Sequence, residues 1–340
     1  MYHGFVSGTL PGENPETARR AAACLRAGGL VAFPTETVYG LGADALNAAA
    51  VARIFEVKQR PRFDPLIVHL ASVAALDRYA AEIDSRARTL AARLWPGPLT
   101  LVLPRREGAG QVIPDIVTAG LPTVALRVPD QPVALAIIEA ADRPVAAPSA
   151  NPFGYVSPTT AAHVAEQLGA AVDLIVDGGP ARVGLESTIV AFTGGGPRLL
   201  RPGGVPLEAI EALIGPVEVG ATGAGSADAV PESPGQLASH YAPRSRFLLL
   251  ADRDDPARRV RPGERVGLLA FTPPADGADF ATVEVLSPAG DLREAAHRLF
   301  GAMRRLDAAG LERIVAEPVP ETGLGRAIMD RLRRAAAGAA

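Results

Sequence analysis

The stretch Leu30-Val31-Ala32-Phe33-Pro34-Thr35-Glu36-Thr37-Val38-Tyr39-Gly40-Leu41-Gly42 joins a short apolar run to a segment rich in hydroxyl groups and glycine. The run 30–33 predicts a buried strand, and residues 34–42 predict a loop at its carboxyl end. Ligands of α/β folds bind outside the carboxyl ends of strands. The stretch therefore indicates a binding loop of an α/β domain, with an ordinary turn as the alternative.

The residues on both sides of this stretch alternate between helical and strand patterns. Helices are predicted at residues 15–27, 48–58, 83–94, 132–141, 160–168 and 207–214. Strands are predicted at residues 66–70, 99–103, 123–128, 174–176, 188–192 and 198–200. Interleaved strands and helices indicate an α/β domain. Their irregular order predicts a mixed, partly antiparallel, twisted sheet with flanking helices.

Prolines and glycines replace any regular pattern between residues 215 and 244. A loop of this length is usually functional or a linker. A second α/β pattern follows, with strands predicted at 247–250, 265–270, 282–286 and 313–315 and helices at 292–309 and 326–337. We therefore expect a first domain over residues 1–206, a linker over 207–245 and a small three-layer α/β domain over 246–340.

The composition is that of a globular protein without a strongly charged surface. Hydrophobic residues make up 48% of the chain, charged residues 21%, and the net charge is −3, so no global basic field favours nucleic acid. The single cysteine, Cys24, excludes internal disulfides and cysteine-rich zinc modules. The first twenty residues lack a signal-peptide pattern, and no uncharged apolar run is long enough for a membrane span. We expect a soluble, cytoplasmic protein with no membrane partner.

Lys58 is the only lysine among 34 lysine and arginine residues. Lysine is a compact point charge and arginine a planar fork, so one does not replace the other at a crowded phosphate. Arg60 follows two residues later in a stretch that Pro61 and Pro65 stiffen. The pair indicates a phosphate site, and a lysine left by chance on a solvated helix end is the alternative.

Three further segments carry polar side chains next to predicted strands. They contain Ser149-Ala150-Asn151 with Ser157, then Glu186-Ser187, and the strand-ending arginines Arg127 and Arg201. A helix cap is the alternative role of Ser157 or Thr159. His69 alternates with apolar residues, and an isolated strand histidine is more often a satisfied core residue than a ligand. P-loop, dinucleotide-binding, zinc-protease and nucleophile-elbow motifs do not occur in the sequence.

Taken together, these segments resemble the threonylcarbamoyl-AMP synthase family, whose core is the YrdC-like fold. The resemblance rests on residues 34–41, Lys58-x-Arg60-Pro61, residues 65–69, Ser149-x-Asn151 and Arg201-Pro202-Gly203, and it spans residues 28–204. Ser233-Pro234-Gly235 and His240-Tyr241-Ala242-Pro243 look like the long form of the family, which adds a C-terminal domain. Asp64 departs from the asparagine that the family often has.

The resemblance implies a nucleotidyltransferase, an L-threonylcarbamoyladenylate synthase. Its substrates would be L-threonine, bicarbonate or CO2 and ATP with Mg²⁺, and its product would serve tRNA N6-threonylcarbamoyladenosine modification. Downstream transfer proteins would be its partners, with at most a weak or transient tRNA contact. Because this product is labile and the long linker carries specific motifs, we expect the segment 207–245 to act as a lid, with anchoring of the loop on the first domain as the alternative.

The resemblance also implies a role for each matching residue. Lys58 and Arg60 would be catalytic. ATP would be bound by Lys58, Arg60, Asp64, Thr123, Ser149, Asn151, Ser157, Arg201, His240 and Tyr241. Threonine would be bound by Thr35, Thr37, His69, Arg127, Ala147 and Ser187. Mg²⁺ would be bound through the ATP phosphates, with no dedicated protein ligands.

Two alternative functions come from other classes. An RNA-binding translation accessory protein is disfavoured by the near-neutral charge and the lack of aromatic clusters. A carbamoyltransferase that handles carbamoyl phosphate would, by resemblance, carry cysteine-rich zinc modules, which one cysteine cannot build. ATP-dependent pyrophosphate release, measured beside RNA binding, separates these hypotheses.

Overall fold

The computed structural model describes residues 9–108, 112–220, 231–237, 240–275 and 279–338. Within them, strands form a large mixed sheet and a small parallel sheet. The strands of the large sheet are β1 (Thr9–Pro11), β2 (Val31–Phe33), β3 (Gly40–Asp44), β4 (Ile67–His69), β5 (Leu99–Pro104), β6 (Thr123–Arg127), β7 (Val145–Ala146), β8 (Leu174–Asp177), β9 (Thr188–Ala191), β10 (Arg198–Arg201) and β11 (Glu218–Val219). The helices of the same domain are α1 (Pro15–Arg26), α2 (Ala48–Lys58), α3 (Leu76–Tyr79), α4 (Ser85–Leu94), α5 (Asp115–Thr118), α6 (Pro132–Ala141), α7 (Ala161–Gln167) and α8 (Leu207–Ile214).

The large sheet has the order β1-β8-β2-β3-β7-β4-β6-β5-β9-β10-β11 among the described strands. Strand β2 runs parallel to β8 and antiparallel to β3, and β4 runs parallel to β6 and antiparallel to β7. This confirms the prediction of a mixed sheet. Strand β7 runs antiparallel to β3 and therefore parallel to β2. The carboxyl end of β2 and the loop after β7 thus lie at one edge of the sheet, and the carboxyl ends of β4 and β6 lie at the other.

The prediction of a loop through Gly42 is wrong, because Gly40 already begins β3. This strand pairs with β2 in the register Val31 with Gly42 and Phe33 with Gly40. A Cβ atom built on Gly42 would lie 2.6 Å from the Phe33 ring. Glycine therefore lets β3 lie close to its neighbour at a place where propensity disfavours a strand.

Helix α2 ends where the phosphate site was predicted. Asn47 caps its first turn by accepting hydrogen bonds from the backbone N–H groups of Ala49 and Ala50. Gln59 terminates it in the left-handed conformation, with φ of 52°. Lys58 is thus the last helical residue, and Arg60 lies in the loop beyond it.

Helix α8 and strand β11 belong to the first domain, although the predicted linker began at residue 207. Leu207, Ile210 and Val217 are buried in the main core beside α4, and β11 pairs with β10. The first domain therefore extends to Val219. Residues 221–230 and 238–239 of the predicted linker lie outside the described residues.

The second domain is built on the four parallel strands β12 (Arg246–Leu249), β13 (Val266–Ala270), β14 (Thr282–Val285) and β15 (Arg313–Ala316), in the order β12-β15-β13-β14. Helices α9 (Leu292–Ala308) and α10 (Gly325–Ala337) pack together on one face. Leu250 and Phe280 help to cover the other face. No helix in the described part of the chain is both long and apolar enough to cross a membrane.

The two domains share one apolar cluster. Val156 and Leu185 of the first domain pack in it with Tyr241 of the linker and Phe300 of α9. Polar contacts reinforce this interface, since Arg304 of α9 donates to the carbonyl of Val156. The second domain is therefore held in a defined position against the first.

Candidate active site

A cavity of about 540 Å³, part of it open to solvent, lies against the large sheet between the turn after β2 and the carboxyl ends of β4 and β6. Its walls come from the β2–β3 turn, the loop after β7, the start of β9, the end of β10 and the linker. The lining residues are Thr37, Val38, Gly40, Arg60, Ile67, His69, Arg127, Ala147, Pro148, Ser149, Glu186, Ser187, Arg201, Pro234, Gly235, His240 and Tyr241. A volume of this order suits a small-molecule ligand.

Most of the residues predicted to bind threonine lie together on this lining. They are Thr37, His69, Arg127, Ala147 and Ser187. Thr35 stands behind them, and its hydroxyl is 2.7 Å from that of Thr37 and donates to the carbonyl of Val38. Thr35 therefore stabilises the β2–β3 turn and does not line the cavity.

Arg127 has a carboxylate partner in the protein. Its Nη2 lies 2.6 Å from Oε1 of Glu36, and both side chains are buried. Its Nε donates to the carbonyl of Gly97. These contacts hold the guanidinium at the end of β6, where its remaining donors are available to the cavity.

His69 contributes a neutral ring to the site. Burial, together with the nearby charge of Arg127, lowers the pKa of His69 to about 3. Its Nδ1 has no hydrogen-bond partner among the described residues, and the ring packs edge-on against Phe33. The neutral imidazole can therefore form a hydrogen bond with a ligand without adding a charge to the site.

The residues predicted to bind ATP divide into two groups. Arg60, Ser149, Arg201, His240 and Tyr241 line the cavity, whereas Lys58, Asp64, Asn151 and Ser157 support the lining from behind. Thr123 is not brought to the cavity. It begins β6 and pairs with Pro104, at the opposite end of the strand from Arg127.

Lys58 organises the loop after β7. Its ammonium donates to the carbonyl of Ser149 at 2.5 Å and to the carbonyl of Asn151. The side chain is 1% exposed. Burial and the neighbouring charge of Arg60 lower the pKa of Lys58 well below its usual value.

Asp64 pairs with a cation and faces away from the cavity. Its carboxylate lies 2.8 Å from Nη2 of Arg60, and both side chains are buried. Arg60 also donates to the carbonyls of Asp64 and Pro65. The carboxylate therefore fixes the direction of the arginine, and its own pKa is raised by burial.

The site is rich in buried cations. Burial lowers the pKa values of Arg60 and Arg201 as well as that of Lys58. Arg201 donates to the carbonyls of Ser187 and Pro234. Cations that are costly to bury favour an anionic ligand, which supplies the missing charge.

The linker forms one wall of the cavity. A Cβ atom built on Gly235 would lie about 3.0 Å from the hydroxyl of Tyr241, so the linker residues pack tightly there. The ring of His240 packs edge-on against Phe153 and Tyr241. Residues 234–235 and 240–241 thus lie over the same space as Arg60 and Arg201.

Two buried acidic residues, Glu36 and Glu186, were not predicted as site residues from the sequence. Both are buried, and Glu186 lines the cavity, where it accepts a hydrogen bond from Ser157 Oγ at 2.5 Å. Both lie in segments already predicted to form the site, and this position in the sequence was the one signal that could have identified them. Among the described residues, no group of three His, Cys, Asp or Glu side chains could hold a metal ion.

Comparison with known proteins gives matches over nearly the whole chain. The Sua5/YciO/YrdC family model, described as "Telomere recombination", matches residues 23–203. A model described as "Threonylcarbamoyl-AMP synthase, C-terminal domain" matches residues 205–337.

Individual relatives agree with the family models. The threonylcarbamoyl-AMP synthase of Pyrococcus abyssi is 45% identical over 326 residues, which cover 93% of each chain. That of Bacillus subtilis is 43% identical and covers 98% of this chain and 96% of its own. A crystal structure of P. abyssi Sua5 complexed with L-threonine has a TM-score of 0.88 and 44% identity, with 97% of both chains covered. With both domains and the order of the motifs accounted for, the chain belongs to the threonylcarbamoyl-AMP synthase family.

Proposed function

We propose that this chain joins L-threonine, bicarbonate or CO2 and ATP into threonylcarbamoyl-AMP, releasing pyrophosphate. The observation that carries the proposal is a single cavity with two chemically different ends. At one end, the Arg127 guanidinium can bind a carboxylate, and His69 and Thr37 offer short polar groups. At the other end, Arg60 and Arg201 offer buried positive charge. A relative of 44% identity binds L-threonine in its crystal structure, which supports the assignment of the first end.

The proposed reaction requires positioning and charge neutralisation more than a covalent nucleophile. The threonine amine attacks CO2 and loses a proton, which forms a carbamate. A carbamate oxygen then attacks the α-phosphorus in line, and the bond to the β-phosphate oxygen breaks as pyrophosphate leaves. Arg127 orients the carboxylate, neutral His69 hydrogen-bonds without repelling the ammonium, and Arg60 and Arg201 face the phosphates.

The donors of the site fit Mg²⁺ that is bound mainly by nucleotide phosphates. The buried carboxylates at the site, Glu36, Asp64 and Glu186, are ion-paired to arginines at 2.6, 2.8 and 2.9 Å. Arg60, Arg201 and Ser149 would hold the phosphates that carry the ion. When bound, Mg²⁺ supplies neutralisation of the phosphate charge.

The proposed product is a mixed anhydride that water destroys, so a transfer reaction must consume it. By family resemblance, we propose that the acceptors are tRNA threonylcarbamoyl-transfer proteins in the cytoplasm. The proposed synthase reaction is tested by pyrophosphate release from ATP, with and without L-threonine and bicarbonate. Turnover that requires all three substrates supports the proposal, and its absence in the folded protein rejects it.

Lys58→Arg is expected to lower pyrophosphate release roughly a hundredfold at saturating ATP. The ammonium fits between two carbonyls in a buried space, and a larger planar fork would displace the loop 149–151. Arg53→Lys on the same helix is the control, because Arg53 is 40% exposed and pairs with Asp173. A near wild-type rate for Lys58→Arg would contradict the role of lysine.

Arg127→Lys is expected to raise the Michaelis constant for threonine more than that for ATP. Arg127 contacts Glu36 at 2.6 Å and has further donors for a substrate carboxylate, whereas a lysine charge satisfied by Glu36 has little left to offer. Arg198→Lys is the control, since Arg198 pairs with Glu232 away from the cavity lining. Equal rises for both substrates would remove Arg127 from the threonine site.

We also propose that the linker is a lid that protects the product. Its residues 234–235 and 240–241 line the cavity, and Arg334 of α10 ties it down by donating to the carbonyl of Leu237. Arg334→Met is expected to lower the yield of threonylcarbamoyl-AMP per pyrophosphate released, because water reaches the product. Arg333→Met is the control, since Arg333 is exposed and pairs with Glu321. If Arg334→Met leaves the yield of threonylcarbamoyl-AMP unchanged, the linker only connects the two domains and is not a lid.

A further inference from the structure

Arg331 is a residue of the second domain that reaches the active site. It lies on α10, its side chain is fully buried, and Nε is 2.9 Å from Oε2 of Glu186. Nη1 donates to the carbonyl of Pro202 at 3.0 Å, next to Arg201. The guanidinium also lies 5.0 Å from the centre of the Tyr241 ring. One side chain of the second domain thus contacts three elements that form or support the cavity.

The negative charge of Glu186 requires a cation at the position of Arg331. Its carboxylate lines a cavity in which Arg60 and Arg201 would receive a polyphosphate. A negative charge at this position repels such a ligand unless it is neutralised and turned away. Arg201 directs its described hydrogen bonds to Ser187 and Pro234, and the ion pair of Glu186 among the described residues is made with Arg331.

Asp330 connects Arg331 to a second buried arginine. Asp330 lies 2.6 Å from Arg331 and 3.0 Å from Arg334. Two arginines therefore face two carboxylates, Glu186 and Asp330, in one buried group. Burial opposes ionisation of Glu186, but the charges of Arg331 and Arg201 lower its pKa, so it remains charged. Loss of Arg331 leaves Glu186 without its ion-pair partner beside the cavity.

We propose that Arg331 is a positioning residue through which the second domain sets the affinity of the site for ATP. Its ion pair neutralises Glu186 and holds the carboxylate at the domain interface, away from the nucleotide phosphates. This inference rests on the proposed function, because it takes ATP as the anion in the cavity. It gives the second domain a defined part in substrate binding.

Arg331→Met is expected to raise the Michaelis constant for ATP roughly tenfold or more, because Glu186 is left unpaired beside the phosphates. The constant for threonine should stay within about threefold of wild type, since Arg127 and His69 do not contact Arg331. The dissociation constant of a non-hydrolysable ATP analogue should rise with the Michaelis constant for ATP. Arg333→Met is the control and should change none of these values, because Arg333 is solvent-exposed and pairs with Glu321.

The double variant Arg331→Met with Glu186→Gln tests the cause. Removing both charges together should return the affinity for the ATP analogue to within about threefold of wild type, because a buried pair can be replaced as a unit at little cost. A double variant as weak as Arg331→Met overturns the proposal, as does an unchanged affinity in folded Arg331→Met. If Arg331→Met does not fold, Arg331→Gln replaces it, because glutamine removes the charge and keeps a hydrogen-bond donor: weaker analogue binding than wild type supports the proposal, and unchanged binding overturns it.

The same measurements separate this inference from the proposed function. Absence of threonine- and bicarbonate-dependent pyrophosphate release in the wild-type protein rejects the proposed function. The comparison of analogue binding between wild type, Arg331→Met and the double variant still gives a result in that case. Intact wild-type turnover with no change on Arg331→Met rejects only the role of Arg331.

Discussion

The burial of positive charge around the cavity is the constraint on which the rest of the structure depends. Lys58, Arg60 and Arg201 are each at most 7% exposed, and each must be compensated inside the protein. The compensation comes mainly from backbone carbonyls, at Ser149 for the lysine and at Ser187 for Arg201. Because carbonyls carry only partial charge, the cations order the loops around them and still attract an anion. The same electrostatic requirement thus shapes the loops and selects the ligand.

The helices were predictable because their ends are marked by local chemistry. The bounds 48–58, 132–141 and 207–214 agree with the structure, where Asn47 and Gln131 cap the first two helices. Strands β3 and β7 were not predicted. Gly40–Asp44 begins with two glycines in three residues, and Val145–Ala146 is too short for any periodicity. Strand β7 pairs with the distant strands β3 and β4, and β3 lies between the nearby β2 and the distant β7. Pairing with a distant segment leaves no local signal.

The site residues, too, could be predicted from local motifs only where their position does not depend on long-range packing. Motif resemblance found Arg60, Arg127, Ser149, Ser187 and Arg201, which the structure brings to one cavity. It could not place Lys58 behind the lining or Thr123 at the far end of β6, since both positions follow from packing and strand direction. Nor could it find Arg331, whose partner Glu186 lies 145 residues away in the chain.

The apolar cluster that the two domains share has a consequence for how the chain unfolds. Val156, Leu185 and Tyr241 have their neighbours in α9 and α10, so separation of the domains exposes buried surface on both sides. The main core of the first domain lies within that domain, so this shared cluster is the part of its packing that the second domain supplies. Because Tyr241 belongs both to this cluster and to the cavity lining, destabilisation of the second domain is expected to reach the cavity.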